Sequence, residues 1–175
     1  ERWRKPNCDL DQFYYGSMAP MIVKNKVIAG VSGDDLDRPG YLTAYDPETG
    51  DQKWRWSVVP LKKGDPGSET WPNEEAMRHG GGMTWQMPTY DPDLNLIYIT
   101  TGNPQPVIAH ANRKGDNLYT GCVVALNADT GKMSWYYQIS PHDTHDWDST
   151  QTPVLIDANY AGAPRKLVAI ASRNG

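Results

Sequence analysis

The stretch AYDPETGDQKW, residues 44–54, returns 81 residues later as ALNADTGKMSW, residues 125–135. Alanine, threonine, glycine and tryptophan coincide in the two copies, and an aspartate or asparagine stands third in both. Each copy has a strand-like start, a turn rich in Asp, Asn and Gly, and a second strand that carries the tryptophan. Such a repeat predicts blades of a β-propeller in which each tryptophan docks on the neighbouring blade. Two unrelated hairpins with similar turns are the alternative.

Short stretches rich in β-branched and aromatic residues surround the repeat and predict an all-β fold. No longer stretch has the apolar spacing of a helix. The Gly-, Pro- and charge-rich segment 60–78 is interpreted as an excursion from a blade. The predicted strands are a hairpin at 21–31 and single strands at 40–45, 52–58, 94–101, 121–126, 133–139, 154–157 and 167–171.

The number of strands predicts that the chain is one piece of a longer propeller. A propeller closes with typically 4–8 blades of four strands, whereas these strands suffice for about two to three. We therefore expect residues 1–175 to form one partial propeller domain.

The amino-acid composition argues against a nucleic-acid-binding protein and against a membrane-spanning helix. The 175 residues carry a net charge of −4, and no basic patch suggests a nucleic-acid partner. No apolar run reaches the roughly 18 residues of a membrane helix. A disulfide between Cys8 and Cys122, the two cysteines, remains open.

Polar residues gather in three loops that follow predicted strands, at 32–37, 101–104 and 141–148. Their carboxylate and amide oxygens are ligands that Ca²⁺ or a similar hard cation prefers. Solvated acidic turns are the alternative for these loops. A zinc site at His142 and His145 is disfavoured because a second pair of ligands is missing. The glycines 80–82 ahead of Trp85 are either a flexible loop or a place where backbone and indole approach a flat ligand.

Five separated motifs, in order, resemble the quinoprotein alcohol dehydrogenases, which use pyrroloquinoline quinone (PQQ). The resemblance is to the methanol/ethanol type and implies an eight-bladed propeller with tryptophan-docking repeats. In that family the quinone lies between a tryptophan and a disulfide of adjacent cysteines, a pair that this sequence lacks. The motifs are GYLTAYD (40–46), GGG (80–82) with Trp85, TGNP (101–104), PHD (141–143) with Asp146, and SRNG (172–175).

The resemblance implies a role for individual residues. Asp146 matches the catalytic base and also a metal ligand, and Asp148 matches the additional ligand of lanthanide-using members. Asp35 stands where the family usually has Glu, and Met83 stands where many members have Thr. The implied metal ligands are Asp35, Asn103, Asp146 and Asp148, and the implied cofactor-binding residues are Ser17, Ser32, Trp85 and Arg173.

The resemblance also implies an activity. A primary alcohol is expected to be oxidised to an aldehyde with PQQ and either Ca²⁺ or a lanthanide ion, and electrons are expected to pass to a cytochrome c. A periplasmic location follows from the family, which also allows a homodimer of the full-length protein. A non-catalytic propeller scaffold of the bacterial envelope and a PQQ-dependent sugar or polyol dehydrogenase are the alternatives.

Overall fold

The computed structural model describes residues 1–33 and 36–175, and most of its regular structure is β-strand. One short helix, α1 (Glu74–Arg78), lies within the predicted excursion, and 3₁₀ turns occur among the described residues at Leu10–Gln12, Ser68–Thr70 and His110–Asn112. The strands are β1 (Met21–Val23), β2 (Lys26–Gly30), β3 (Tyr41–Tyr45), β4 (Gln52–Ser57), β5 (Thr89–Asp91), β6 (Leu96–Thr100), β7 (Cys122–Asn127), β8 (Met133–Gln138), β9 (Val154–Tyr160) and β10 (Ala163–Ala169).

The strands form two four-stranded antiparallel sheets and one hairpin. The first sheet has the order β1-β2-β3-β4, the second has the order β5-β6-β7-β8, and β9 pairs with β10. This meander repeated along the chain is the blade architecture of a propeller, so the all-β prediction is confirmed. Every residue of β3 is buried, as are the first five residues of β7. Apolar side chains of both sheets, among them Leu42, Ile97 and Val124, share one core.

The repeated sequence corresponds to the turn between the third and fourth strands of each sheet. Asp46 Oδ1 accepts the backbone N–H groups of Glu48 and Thr49 at 2.8 and 3.1 Å. Asn127 Oδ1 accepts those of the two equivalent residues in the second sheet, both at 3.1 Å. Gly50 and Gly131 have φ values of 72° and 68°, a region that favours glycine. The shared residues therefore encode one rigid turn, made twice.

Trp54 docks from the first sheet onto the turn of the second, as the repeat predicts. Its Nε1 donates to the carbonyl of Ala128 at 3.2 Å. Its ring covers Gly131 so closely that a Cβ there would lie 2.6 Å from the indole. Trp135, the equivalent residue of the second sheet, is 39% exposed, and its ring centroid lies 5.8 Å from that of Tyr98.

Trp3 makes the same contact with the turn of the first sheet, and the sequence repeat does not predict this contact. Its Nε1 donates to the carbonyl of Pro47 at 2.9 Å, and a Cβ on Gly50 would lie 2.6 Å from its ring. Pro47 and Ala128 occupy equivalent places in the two repeats. Trp3 was missed because no Thr-Gly turn precedes it.

Several details differ from the predictions. β5 and α1 were not predicted because each is short, and α1 depends on Asn73, whose side chain accepts the N–H of Ala76 at 2.9 Å. β9 and β10 are longer than expected and meet at a turn in which residues 161 and 162 both have positive φ. Cys8 and Cys122 are free thiols, so the disulfide left open above is not formed. Within the described ranges, no helix is long and apolar enough to cross a membrane.

Candidate active site

A cavity of about 360 Å³ lies where loops of both four-stranded sheets meet. This volume is within the range of small-molecule sites. Its walls include Ser17, Ser32, Trp85, Gln105, Asp146 and Asp148. All of these except Gln105 are residues to which the family resemblance assigns a cofactor or metal role. A larger cavity of about 900 Å³ beside Cys8 and Tyr41 contains no residue of that set.

Asn103 lies beside this cavity and is 1% exposed. Its Nδ2 donates to a carboxylate oxygen of Asp146 and, at 3.2 Å, to Oδ1 of Asp148. Its Oδ1 accepts the backbone N–H of Asp148 at 3.1 Å. One buried carboxamide thus joins the loop after β6 to the loop that carries both aspartates.

The three consecutive glycines fix the backbone of the Asn103 loop. The N–H of Gly82 donates to the carbonyl of Asn103 at 2.7 Å. Gly81 has a φ of 72°, and a Cβ on it would lie 2.5 Å from the Asn103 carbonyl oxygen. Glycine is therefore required here for the close approach of two backbone segments. The interpretation of these glycines as a flat-ligand approach misses this contact.

Asp143 shapes the loop that presents the two aspartates. It is 3% exposed, and its carboxylate accepts the N–H of His145 at 2.8 Å and that of Trp147 at 3.0 Å. Asp146 and Asp148 have φ values of 61° and 48°, in the left-handed region that aspartate tolerates better than most residues. The loop therefore bends twice, and both bends fall on residues that line the cavity.

Arg113 connects the two loops from inside the protein. It is fully buried, and its guanidinium donates to the carbonyls of Pro106 at 2.8 Å, Val107 at 2.6 Å and Asp143. A further bond of 2.8 Å reaches Oδ1 of Asn117. Burial lowers the pKa of Arg113 to about 10, and the nearby carboxylate of Asp143 opposes this shift. The sequence indicates no role for Arg113, because an arginine beside Lys114 in a polar segment has the pattern of a solvated loop.

The predicted cofactor-binding residues lie around the same cavity. The hydroxyl oxygens of Ser17 and Ser32 are 2.5 Å apart, and Ser32 exchanges backbone hydrogen bonds with Tyr15 at 2.8 and 3.3 Å. Trp85 is partly buried against a small core cluster that includes Met83, whose side chain is fully buried. Arg173 Nη1 lies 3.0 Å from Oδ2 of Asp148.

The oxygen donors near Asn103 suit a hard cation. Asp146 and Asp148 share one amide donor, and two carboxylates so close repel each other unless a cation balances them. Asp35, the remaining predicted ligand, lies outside the described residues. Within the described part of the chain, no group of three or more His, Cys, Asp or Glu side chains could hold a metal ion. Nε2 of His142 instead lies 2.9 Å from Nδ1 of His110, and the ring of His145 stacks on that of Trp147.

Comparison with known proteins decides the family. A PQQ family model described as "Glucose/ethanol/alcohol dehydrogenase, beta-propeller domain" matches residues 4–175. The chain belongs to this family. The propeller fold and the family that the motifs indicate are both confirmed.

Similar proteins are quinoprotein dehydrogenases. The quinohemoprotein alcohol dehydrogenase of Comamonas testosteroni is 44% identical over 173 residues, 90% of this chain and 24% of that protein. Methanol dehydrogenase (cytochrome c) subunit 1 of Methylorubrum extorquens is 38% identical over 192 residues, 99% of this chain and 30% of that protein. A solved europium-containing methanol dehydrogenase superposes with a TM-score of 0.92 at 33% identity, covering 99% of this chain and 33% of that one. The chain thus spans about a quarter to a third of the length of these relatives.

Proposed function

We propose that the intact protein containing this chain oxidises a primary alcohol to an aldehyde with PQQ and a bound metal ion. The observation that carries the proposal is the cavity itself. Residues from four separate parts of the sequence, near 17, 32, 85 and 146, line one cavity of about 360 Å³. The dehydrogenase relatives support the same reaction class.

The residues present suit these two groups. Asp146 and Asp148 offer carboxylate oxygens to a cation. The Nδ2 of Asn103 faces these carboxylates, so we propose that this amide turns its oxygen toward the cation when the site is filled, and that Asp35 completes the set. Trp85 offers a flat aromatic surface, while Ser17 and Ser32 offer hydroxyls to the carboxylates of the quinone. When bound, PQQ supplies the acceptor for the hydride of the alcohol, and the metal ion supplies Lewis-acid activation of that acceptor.

Asp146 is proposed as the general base. Its carboxylate lines the cavity and accepts a hydrogen bond from Asn103, so its position is fixed beside the space for the alcohol. It takes the hydroxyl proton while the hydride leaves the carbon that becomes the aldehyde carbon. Arg173 is proposed to contact the cofactor, and its ion pair with Asp148 holds its guanidinium next to the cavity.

The metal is proposed to be Ca²⁺ or a lanthanide ion, and Asp148 favours the lanthanide. A trivalent ion is better balanced by one more anionic oxygen, and one similar structure is a europium-containing enzyme. Full-length protein stripped of metal and reconstituted with PQQ is expected to be more active with La³⁺ than with Ca²⁺. Equal activity, or activity with Ca²⁺ alone, would contradict the lanthanide preference.

The electron acceptor is proposed to be a cytochrome c, because one relative is a methanol dehydrogenase (cytochrome c) subunit. A periplasmic location and a homodimer of the full-length protein are proposed from the family alone. Reduction of purified cytochrome c, cell fractionation and light scattering of the intact protein test these three points separately.

Asp146→Asn tests the base. We expect the full-length variant to keep bound PQQ, measured by absorbance, and to lose turnover of a primary alcohol by at least about 10²-fold, since a general base contributes roughly 10²–10⁴-fold. Asp157→Asn, on the exposed face of β9, is the matched control and should leave both unchanged. A normal kcat in Asp146→Asn would refute the assignment, whereas wild-type protein that binds PQQ but oxidises no alcohol would favour a scaffold.

A further inference from the structure

Asp148, which lines the candidate site, is paired with a positive charge, whereas Asp146 is not. Nη1 of Arg173 lies 3.0 Å from Oδ2 of Asp148, and Nδ2 of Asn103 donates to Oδ1 of the same carboxylate at 3.2 Å. The carboxylate of Asp146 also accepts from the Asn103 amide, but it has no cationic partner among the described residues. The two neighbouring aspartates therefore differ in how much of their charge is compensated by the protein.

The side chain of Arg173 can move although its backbone is anchored on both sides. The hydroxyl oxygen of Ser172 lies 3.2 Å from that of Ser149, and Nδ2 of Asn174 donates to the hydroxyl of Ser140 at 2.9 Å. The side chain of Arg173 is 56% exposed, and within the described part of the chain its guanidinium has one acceptor, the carboxylate described above. An ion pair this exposed is weak. The guanidinium can therefore leave its partner at a small cost and without a change in the backbone.

The charges around the proposed metal site balance a divalent ion when Arg173 is counted. Asp35, Asp146 and Asp148 supply three negative charges, and Arg173 supplies one positive charge. A trivalent ion exceeds the remaining negative charge by one, and at a given distance it repels the guanidinium about 1.5 times as strongly as a divalent ion does. Asp148 can thus serve Arg173 or a trivalent ion, but it serves both poorly.

We propose that Arg173 determines how strongly the site prefers a trivalent over a divalent cation. Asp148 becomes a ligand of a lanthanide ion only when the guanidinium leaves it, so the ion pair opposes lanthanide binding. Asp148 stays paired with Arg173 when Ca²⁺ is held by the other ligands, so the affinity for Ca²⁺ is unaffected. Arg173 thereby limits the lanthanide preference that Asp148 confers. This inference rests on the proposed function, which supplies the metal site.

A double-mutant cycle in the full-length protein tests the competition. Arg173→Met keeps a long aliphatic side chain without the charge, and Asp148→Asn removes the carboxylate for which the cation and the guanidinium compete. Arg165→Met, exposed on β10, changes the net charge equally at a distance and is the control. Each protein is stripped of metal with a chelator and kept saturated with PQQ, which is verified by absorbance. Calorimetric titration then gives the dissociation constants for La³⁺ and Ca²⁺.

We expect Arg173→Met to raise the ratio of La³⁺ affinity to Ca²⁺ affinity by about fivefold, as loss of one exposed ion pair allows. Adding Arg173→Met to Asp148→Asn should leave this ratio unchanged within about twofold. An unchanged ratio in Arg173→Met, or the same rise in both backgrounds, would overturn the proposal, since the second result indicates a general effect of charge. Asp148→Asn alone should weaken La³⁺ and not Ca²⁺, and an equal loss for both ions would also overturn it. Wild-type protein that binds PQQ but neither ion would instead refute the metal site of the proposed function.

Discussion

Replacing Arg113 by methionine should damage both stability and turnover, because this residue connects the two loops of the candidate site. Methionine fills much of the same space but donates no hydrogen bond. The carbonyls of Pro106, Val107 and Asp143 and the side chain of Asn117 would then lose their shared donor. Pro106 follows Asn103 by three residues, and Asp143 precedes Asp146 by three. The loops that carry these two proposed metal ligands would therefore both lose a hydrogen bond that holds their backbone.

The size of the effect follows from these contacts. Hydrogen bonds to a charged group contribute about 1.5–3 kcal/mol each, but bonds of one network are not additive. Burial also disfavours the guanidinium, as its pKa lowered to about 10 indicates, so part of the gain is offset. We therefore expect Arg113→Met to lower the free energy of unfolding by about 2–4 kcal/mol. A shift of about 1 Å between Asn103 and Asp146 would lower kcat about 10²-fold.

The assay uses the full-length protein. Urea unfolding gives the free energy, and steady-state turnover of a primary alcohol gives kcat. Arg113→Lys keeps the charge but cannot reach several carbonyls with one planar group, so it should recover stability only in part. Arg165→Met, exposed on β10, is the control. Wild-type stability and kcat in Arg113→Met would refute the connecting role.

Three further changes test the docking of Trp54, the ion pair of Asp129 and the proposed metal ligand Asp148. Trp54→Ala should lower the free energy of unfolding by about 3–5 kcal/mol in urea titration, since a buried indole and its hydrogen bond are lost; a loss below about 1 kcal/mol would contradict docking. The hydrogen bond from Lys24 holds the pKa of Asp129 at about 2, so its carboxylate stabilises the fold above about pH 4 and that contribution disappears as the pH falls towards 2. Asp129→Asn should therefore reduce the fall of Tm between pH 4 and pH 2, and an unchanged fall would count against the pair. Asp148→Ala should lower activity with La³⁺ more than activity with Ca²⁺ in metal reconstitution, and equal losses would argue against its role as the additional ligand.

The fold was predictable where its signals are local. The turn at Asp46 and its copy at Asn127 are each encoded within a few residues, and so is the tryptophan that follows. β9 and β10 were harder, because charged residues such as Asp157 and Lys166 hide the strand pattern of a hairpin that is exposed along most of its length. Their ion pair of 3.6 Å crosses the hairpin and is visible only in the structure.

The family motifs named residues that the structure brings to one cavity, whereas the strand-end loops alone indicated oxygen ligands for a hard cation without indicating which residues meet. Asn103 and Asp146 are 43 residues apart, and no periodic pattern indicates that they meet. Arg113 belongs to no recognised motif, and its importance depends on its burial, which the sequence around it does not indicate. Such supporting residues are found only when the hydrogen bonds of a buried loop are traced atom by atom.

The docking of a tryptophan on the turn of the neighbouring sheet also determines how successive blades can be arranged. Trp54 leaves one sheet and enters the turn of the next, and Trp3 enters the turn of the first sheet in the same direction. Contacts of this head-to-tail kind are heterologous, so a series of them either closes into a ring or continues as an open spiral. The angle between neighbouring blades, which depends on the packing of one indole against one glycine, is then repeated at each contact of this kind. A change of angle at Gly50 or Gly131 would displace every blade beyond that contact, so its full effect would fall where the ring closes.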